Sequence, residues 1–143
     1  MSNNRSVLRF EKYIVKKVAF DANEEFLNKE KEVDLDFDFD TKSNVDGNTM
    51  EIELSVNIFD DAVKNGYPFE MKVILKGFFS IDNEGEVKDI SIFETNAIAI
   101  LFPYLRAIVS SYTANANVAP VLLPAMNINE YIRRKYQNGE KQA

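Results

Sequence analysis

Val33, Leu35, Phe37 and Phe39 alternate residue by residue with Asp34, Asp36, Asp38 and Asp40. A helix cannot sort such a pattern. A strand can, because successive side chains point to opposite faces, so the apolar groups share one face and the carboxylates the other. Slipping the register by one residue would carry every carboxylate into the core, so the pairing of this segment is tightly specified. The logic repeats downstream, where Met50, Ile52, Leu54, Val56 and Ile58 alternate with Glu51, Glu53, Ser55 and Asn57. The expectation is therefore that Asp34, Asp36, Asp38, Glu51 and Glu53 face water while Leu35, Phe37, Ile52 and Leu54 are buried.

Between these segments Asn44-Val45-Asp46-Gly47-Asn48 reads as a hairpin turn, with Gly47 free to take a positive φ. A second turn at Asn65-Gly66 leads to Phe69, Met71, Val73, Leu75, Phe79 and Ile81, with Ile74 and Phe78 on the other face. The weakest strand signal comes first, over Leu8–Phe20. There Phe10, Ile14, Val18 and Phe20 would share a face with Lys12 and Lys16. Turns between neighbouring strands imply an antiparallel meander with one wet face.

Helical spacing appears only after the strands. Leu101, Leu105, Ile108, Val109 and Tyr112 recur at that spacing, and Pro103 sits comfortably only in a first turn. This places a main helix at 103–115, preceded by at most one turn. Pro120 and Pro124 make Val118–Met126 an extended apolar connector. Asn127 caps a final helix, with Glu130 completing a capping-box-like pair and Ile128, Tyr131, Ile132, Lys135 and Tyr136 marking its stripe. Asn138-Gly139 should stop it. The order β-β-β-β-α-α predicts an α+β fold, a four-stranded antiparallel sheet followed by two helices packed on one face. Residues 1–143 would form a single domain, with tails at about 1–6 and 138–143 disordered.

Composition narrows the chemistry. The chain has no Cys and no His, which removes thiol catalysis, thiolate metal sites and the usual general base near neutral pH. No acid sits inside an apolar run where burial could raise its pKa, and Gly47, Gly77 and Gly85 are too isolated to cradle a phosphate. No catalytic residue, metal site or cofactor is expected. Alternate Asp side chains on a strand lie about 7 Å apart, too far to wrap one Ca²⁺ without loop ligands, so the Asp ladder reads as a solvated face. A net charge of −6 disfavours nucleic acid and anionic membrane as partners. The N-terminal residues lack the apolar stretch of a signal peptide, and the longest apolar run, Ala97–Leu105, is short of the roughly 20 residues a membrane span needs. No membrane insertion is expected, and the compartment expected is the cytoplasm.

Two features remain. Val118, Val121, Leu122, Leu123 and Met126 form an apolar connector that either drapes over the core or walls a groove open to a partner. The main helix is apolar on more than one side, with Leu101, Leu105, Ile108 and Tyr112 on one stripe and Phe102, Tyr104 and Val109 around it. At about thirteen residues, roughly 20 Å, it is too short to cover four strands. A helix apolar on two sides needs two partners, its own sheet and the same helix of another copy. Tyr104, Ile108, Ser111 and Tyr112 are the candidates for that contact.

Ile100-Leu101-Phe102-Pro103-Tyr104-Leu105-Arg106 resembles the signature segment of the SecB export chaperones. The likeness continues through Pro120-Val121-Leu122-Leu123-Pro124-Ala125-Met126-Asn127-Ile128, and Gly77-Phe78-Phe79-Ser80-Ile81 and Tyr13–Asp21 are similar to family strands. The resemblance implies an ATP-independent holdase for unfolded or non-native polypeptides, including preproteins for export. It also implies a homotetramer, a dimer of dimers with the helices between the sheets. It favours the groove reading, with a client-binding groove at Phe26, Leu27, Val121, Leu123, Met126, Ile128, Tyr131 and Ile132. Export members of the family dock SecA through acids on the exposed sheet. Asp21 matches one such acid, but Lys17 and Lys72 stand at two others, so weak or no SecA docking is expected. Divergent relatives serve an aggregation-prone antitoxin instead, and that dedication is one alternative. A small apolar-ligand-binding α+β domain is the other.

Overall fold

The alternating segments pair as their pattern demands. The computed structural model describes residues 6–26, 33–83 and 90–142. Strands Ser6–Ala22 (β1), Phe37–Asp46 (β2), Thr49–Ile58 (β3) and Phe69–Asn83 (β4) form one antiparallel sheet in the order β1-β4-β3-β2. A single helical turn, Ala62–Asn65 (α1), fills the β3–β4 connection, and helices Ile90–Asn115 (α2) and Ile128–Gln142 (α3) follow. The meander covers β2, β3 and β4 only. β1 lies on the far side of β4, so the chain must cross the whole sheet to reach β2.

Ile52, Leu54, Val56 and Ile58 on β3 and Val73 and Leu75 on β4 are fully buried under the helices. The acids take the other face. Asp34 and Asp36 are exposed, whereas Asp38, Glu51 and Glu53 are half-buried among outer-face neighbours. The expected strand from Val33 begins only at Phe37, because β3 ends opposite it at Ile58 and Phe59 turns away with φ 57°. Val33 and Leu35 stay unpaired yet keep their side chains, half-buried, against the core. The hairpin is tighter than expected. Gly47-Asn48 alone joins Asp46 to Thr49, with Gly47 at φ 60°.

In β1 two bulges, between Phe10 and Lys12 and between Val15 and Lys17, break the period of two. The inward set is therefore Leu8, Phe10, Tyr13, Val15, Val18 and Phe20, which lie opposite inward positions of β4. Ile14 pairs with Lys76 and faces out with Lys12, contrary to the uniform alternation expected.

The largest correction concerns α2, which starts at Ile90 and carries Pro103 in its interior. Proline there removes one hydrogen bond to Ala99 and costs about 3 kcal/mol. Both Pro103 and Ala99 lie on the exposed side, so water can satisfy the freed carbonyl. The same continuous helix keeps Phe93, Ala97, Ile98 and Leu101 buried over the sheet, which outweighs the local loss. By length and composition α2 could cross a bilayer, but those side chains form the core against β3 and β4. Its approach depends on Gly77, where an added Cβ would lie 2.8 Å from a Leu101 methyl carbon and 2.8 Å from the Phe79 ring. α3 runs through Asn138-Gly139 to Gln142. One glycine in a helix costs only about 1 kcal/mol, too little to stop it among helix-forming neighbours. Of the expected tails, Ser6 already belongs to β1, and residues 1–5 and Ala143 lie outside the described residues.

Candidate functional site

The connector between α2 and α3 is held by two side chains of α2. The Thr113 hydroxyl is fully buried, donates to the Val109 carbonyl at 2.8 Å and accepts the Val121 N–H at 2.9 Å. About two turns earlier the Arg106 guanidinium lies over the Phe102 ring, and its Nε–H donates to the Leu123 carbonyl at 3.0 Å. These anchors turn Val121 and Leu123 inward and leave Leu122 between them 73% exposed. Neither anchor was singled out from sequence. The proline-bounded connector was the available signal, since its backbone groups had to find partners outside regular structure.

Beyond the connector, Asn127 caps α3 by accepting the Glu130 N–H at 3.1 Å. The reciprocal half of a capping box is absent. The Glu130 carboxylate instead binds Arg133 and, at 2.9 Å, Arg134, and these two bonds hold its pKa below the ordinary carboxylate value.

α3 then lies along the free edge of β2. Tyr131 Oη reaches the Phe37 carbonyl at 3.4 Å and donates to Asp38 Oδ1 at 2.9 Å. Lys135 Nζ donates to the Phe39 carbonyl at 3.1 Å and to Asp38 Oδ2 at 2.8 Å. The Tyr136 hydroxyl donates to Asp40. Four residues along a helix advance about 6 Å. Two along a strand advance about 6.8 Å, so Tyr131 and Lys135 match successive edge carbonyls. The arrangement covers an edge that would otherwise template pairing with another chain.

Burial, and then the bond to Asp38, push the Tyr131 hydroxyl up to about 12, while the bond to Asp40, and then burial, do the same for Tyr136. At Asp40 burial opposes ionisation, but the Tyr136 hydroxyl, the Thr41 N–H and the Lys135 ammonium together lower its pKa.

The expected groove residues therefore divide. Val121, Leu123, Ile128 and Ile132 are core, with Leu123 and Ile128 only 2% and 3% exposed, and do not form the open surface expected of them. The anchors on the connector and the latch on β2 turn them inward. Met126 and Tyr131 are half-buried at the rim, and Phe26 is half-buried at the start of the crossover. Leu27 lies outside the described residues.

The expected contact residues of α2 do come together. Tyr104, Ile108, Ser111 and Tyr112 lie on one outward stripe, separate from the buried stripe of Leu101, Leu105 and Val109. Ile108 and Tyr112 belong to the outward stripe, not with the leucines as the periodicity suggested. With Tyr13 of β1 they line a shallow, mostly apolar depression of 460 Å³. Tyr104 and Tyr112 remain 40% and 41% exposed although their rings touch Tyr13 and Phe20. Val15 and Val18, also on the inward face of β1, are exposed because α2 does not reach them. Asp21 sits at the outer end of β1 opposite Glu70, exposed to water.

A family model described as preprotein translocase subunit SecB matches residues 1–139. The chain belongs to the SecB family. The uncharacterized protein MJ0357 of Methanocaldococcus jannaschii is 34% identical, covering 96% of this chain and 93% of that protein. The protein-export protein SecB of Aromatoleum aromaticum is 29% identical, covering 85% of this chain and 78% of its own. Among solved structures, the Mycobacterium tuberculosis Rv1957 SecB-like chaperone, in complex with a ChAD peptide from the Rv1956 HigA1 antitoxin, superposes with a TM-score of 0.65 at 12% identity. It covers 83% of this chain and 87% of that one, a likeness of fold. Family and fold together support a chaperone role for this SecB-family chain, and the SecB-like family is non-enzymatic.

Proposed function

We propose that this SecB-family protein is an ATP-independent holdase that binds unfolded or non-native polypeptides in the cytoplasm, as a homotetramer and without cofactor. The observation that carries the reading is an apolar surface that the fold leaves uncovered between β1 and α2, on a chain of this family. Tyr104, Ile108, Ser111 and Tyr112 would meet their counterparts about a twofold axis. Clients would enter beside the connector, where Leu122 is exposed and Met126 and Tyr131 are half-buried, with Phe26 and Leu27 of the crossover as further proposed contacts. Val121, Leu123, Ile128 and Ile132 would add their surface when α3 lifts from β2. Such binding tolerates many sequences because burial of apolar area is non-directional. Several grooves on one assembly would let a single unfolded chain engage more than one and gain avidity.

The test is aggregation of chemically unfolded, unrelated proteins diluted into buffer without ATP. Suppression at near-stoichiometric tetramer is expected for several of them, and unaltered aggregation of all would reject the reading. A second reading, a chaperone dedicated to one antitoxin, is favoured by the antitoxin peptide bound to the fold neighbour. Suppression confined to a single antitoxin would select it. Handover to SecA would be weak, since Lys17 and Lys72 put positive charge on the outer sheet. Tight, salt-sensitive binding of SecA in a calorimetric titration would contradict that.

A further inference from the structure

The outer face of the sheet, opposite the helices, is divided by charge. Asp34, Asp36, Asp38 and Asp40 lie toward the β2 side, whereas Lys12, Lys16, Lys17, Lys72 and Lys76 gather on β1 and β4. Asp21 and Glu70 close this face at one end of the pair and Glu11 accepts from Ser80 toward the other, so in a chain of net charge −6 the positive surplus is confined to the middle of the pair. Two of the lysines are paired, Lys16 with Glu53 at 3.0 Å and Lys76 with Glu51 at 3.4 Å. Lys12, Lys17 and Lys72 make no ion pair among the described residues, and Lys12 and Lys17 are exposed.

The lysines surround apolar side chains that contribute nothing to the core. Phe78 faces outward opposite Lys12, Ile14 opposite Lys76, and Ile74 opposite Lys17. Directly opposed side chains on an antiparallel pair are about 5 Å apart, so the three pairs form one surface. The Lys12 and Lys76 ammoniums lie 5.2 and 5.6 Å from the Phe78 ring centroid. An aromatic held between cations on a solvent face has the composition of a contact centre with a charged rim.

We infer that the outer face of the β1–β4 pair is a docking surface for an acidic segment of a partner protein that carries an apolar side chain among its carboxylates. Charge complementarity selects this occupant. A continuous phosphate backbone would meet Glu51 and Glu53 inside the patch and the net negative field of the chain. A peptide can place discrete carboxylates on Lys12, Lys17 and Lys72 and lay its apolar side chain on Phe78. The surface is on the opposite face from the client site, so this inference stands apart from the holdase reading.

The probe is a fluorescein-labelled synthetic dodecapeptide of alternating Glu and Gly with a central Phe, followed by anisotropy against the full chain. Saturable binding that weakens steeply with added salt is expected. K12E/K17E should lower affinity by about tenfold or more, and F78A by a few-fold, while K64E on the distant α1 should change nothing. Circular dichroism checks that the variants fold, and K12Q/K17Q supplies a milder pair if the double reversal does not. Unchanged binding by the folded double variant overturns the inference. So does an RNA oligonucleotide that binds this face as tightly as the peptide, or a K12E/K17E variant whose only change is loss of self-association. Aggregation suppression should survive K12E/K17E, which separates failure here from failure of the holdase reading.

Discussion

At the β2 end of the sheet, α3 sets Tyr131 and Lys135 on the free carbonyls of Phe37 and Phe39 and seals Ile128 and Ile132 beneath it. At the β1 end, Val15 and Val18 face inward with no helix over them, and the tyrosines of α2 stand in the open beside them. Both ends belong to one sheet with one apolar face. Their difference separates two conditions that sequence alone runs together: apolar residues that close a core, and apolar residues the fold leaves uncovered. The first kind are tied down by side-chain hydrogen bonds between elements, and among the described residues no such bond ties the α2 tyrosines to β1.

Charges placed at the two ends should have opposite consequences. L123D/I132D puts two carboxylates into buried apolar sites, with Arg106 near only the first of them and already engaged by the Leu123 carbonyl. Each costs several kcal/mol, together on the order of a domain's whole stability. The double variant should be unfolded by circular dichroism at room temperature. V15D/Y112D places its charges on residues already exposed. It should keep a native spectrum and lose assembly, its mass in sedimentation falling from about four times 16.4 kDa toward a single chain. A folded L123D/I132D would mean that the β2 end is open after all. A V15D/Y112D protein that remains a tetramer would remove the β1 end as the assembly surface. If it is instead a stable monomer that still suppresses aggregation, assembly is not needed for the holdase.

Most of the fold was legible because its decisive signals are local. The acid–apolar alternation of β2 and β3 fixes which face is wet, and Asn127 marks the start of α3. What could not be read depends on contacts distant in sequence. The bulges that turn Tyr13 and Val15 inward are set by pairing with β4, some sixty residues on. Pro103 stays helical because Phe93 and Ala97 before it have a sheet to bury against. The candidate site was legible as a set of residues but not as a state. Val121 and Leu123 look the same in sequence whether they line an open groove or fill a core. Thr113 and Arg106, which decide between the two, carry no periodic signature. The surplus of apolar residues on α2 was legible, because it is itself a sequence property, but the periodicity put Ile108 and Tyr112 with the buried leucines rather than on the outward stripe.

The closeness of α2 to the sheet gives a smaller effect common to both ends. G77A adds a methyl group where Leu101 and Phe79 already stand at 2.8 Å. Overpacking of this kind costs about 1–3 kcal/mol and should lower Tm by several degrees. Because α2 would be pushed outward along its middle, the depression at Tyr104 and Ile108 should change with it. Thermal scans at several protein concentrations separate the two contributions. A uniform drop in Tm reports the core alone, and a drop that deepens on dilution reports weakened assembly as well.

The smallest effect tests the latch, and its sign is fixed by the direction of the shifts. Tyr131 and Tyr136 are raised to about 12 from an ordinary 10.0, so the folded state favours their protonated forms. Their contribution is complete below pH 10 and is lost as pH rises toward 12. Asp40 is shifted the other way, below 3.8, so its contribution is present above that value and is lost as pH falls through the lowered pKa. Docking of α3 should therefore hold across the whole neutral range and loosen at both extremes, first at its Tyr131–Lys135–Tyr136 side. Hydrogen exchange of α3 amides, followed against pH and corrected for the intrinsic rate, reads this directly. Y131F/Y136F removes the alkaline loss and should show weaker but less pH-dependent protection above pH 10. Among the described residues the β1 end has no such latch, so amides of β1 facing the depression should show no matching alkaline step. If they do, the transition is global unfolding, and the contrast between a latched end and an open end does not hold. If instead α3 protection falls alone, the helix detaches as a unit, and the buried side chains of Val121, Leu123, Ile128 and Ile132 become reachable without unfolding the sheet.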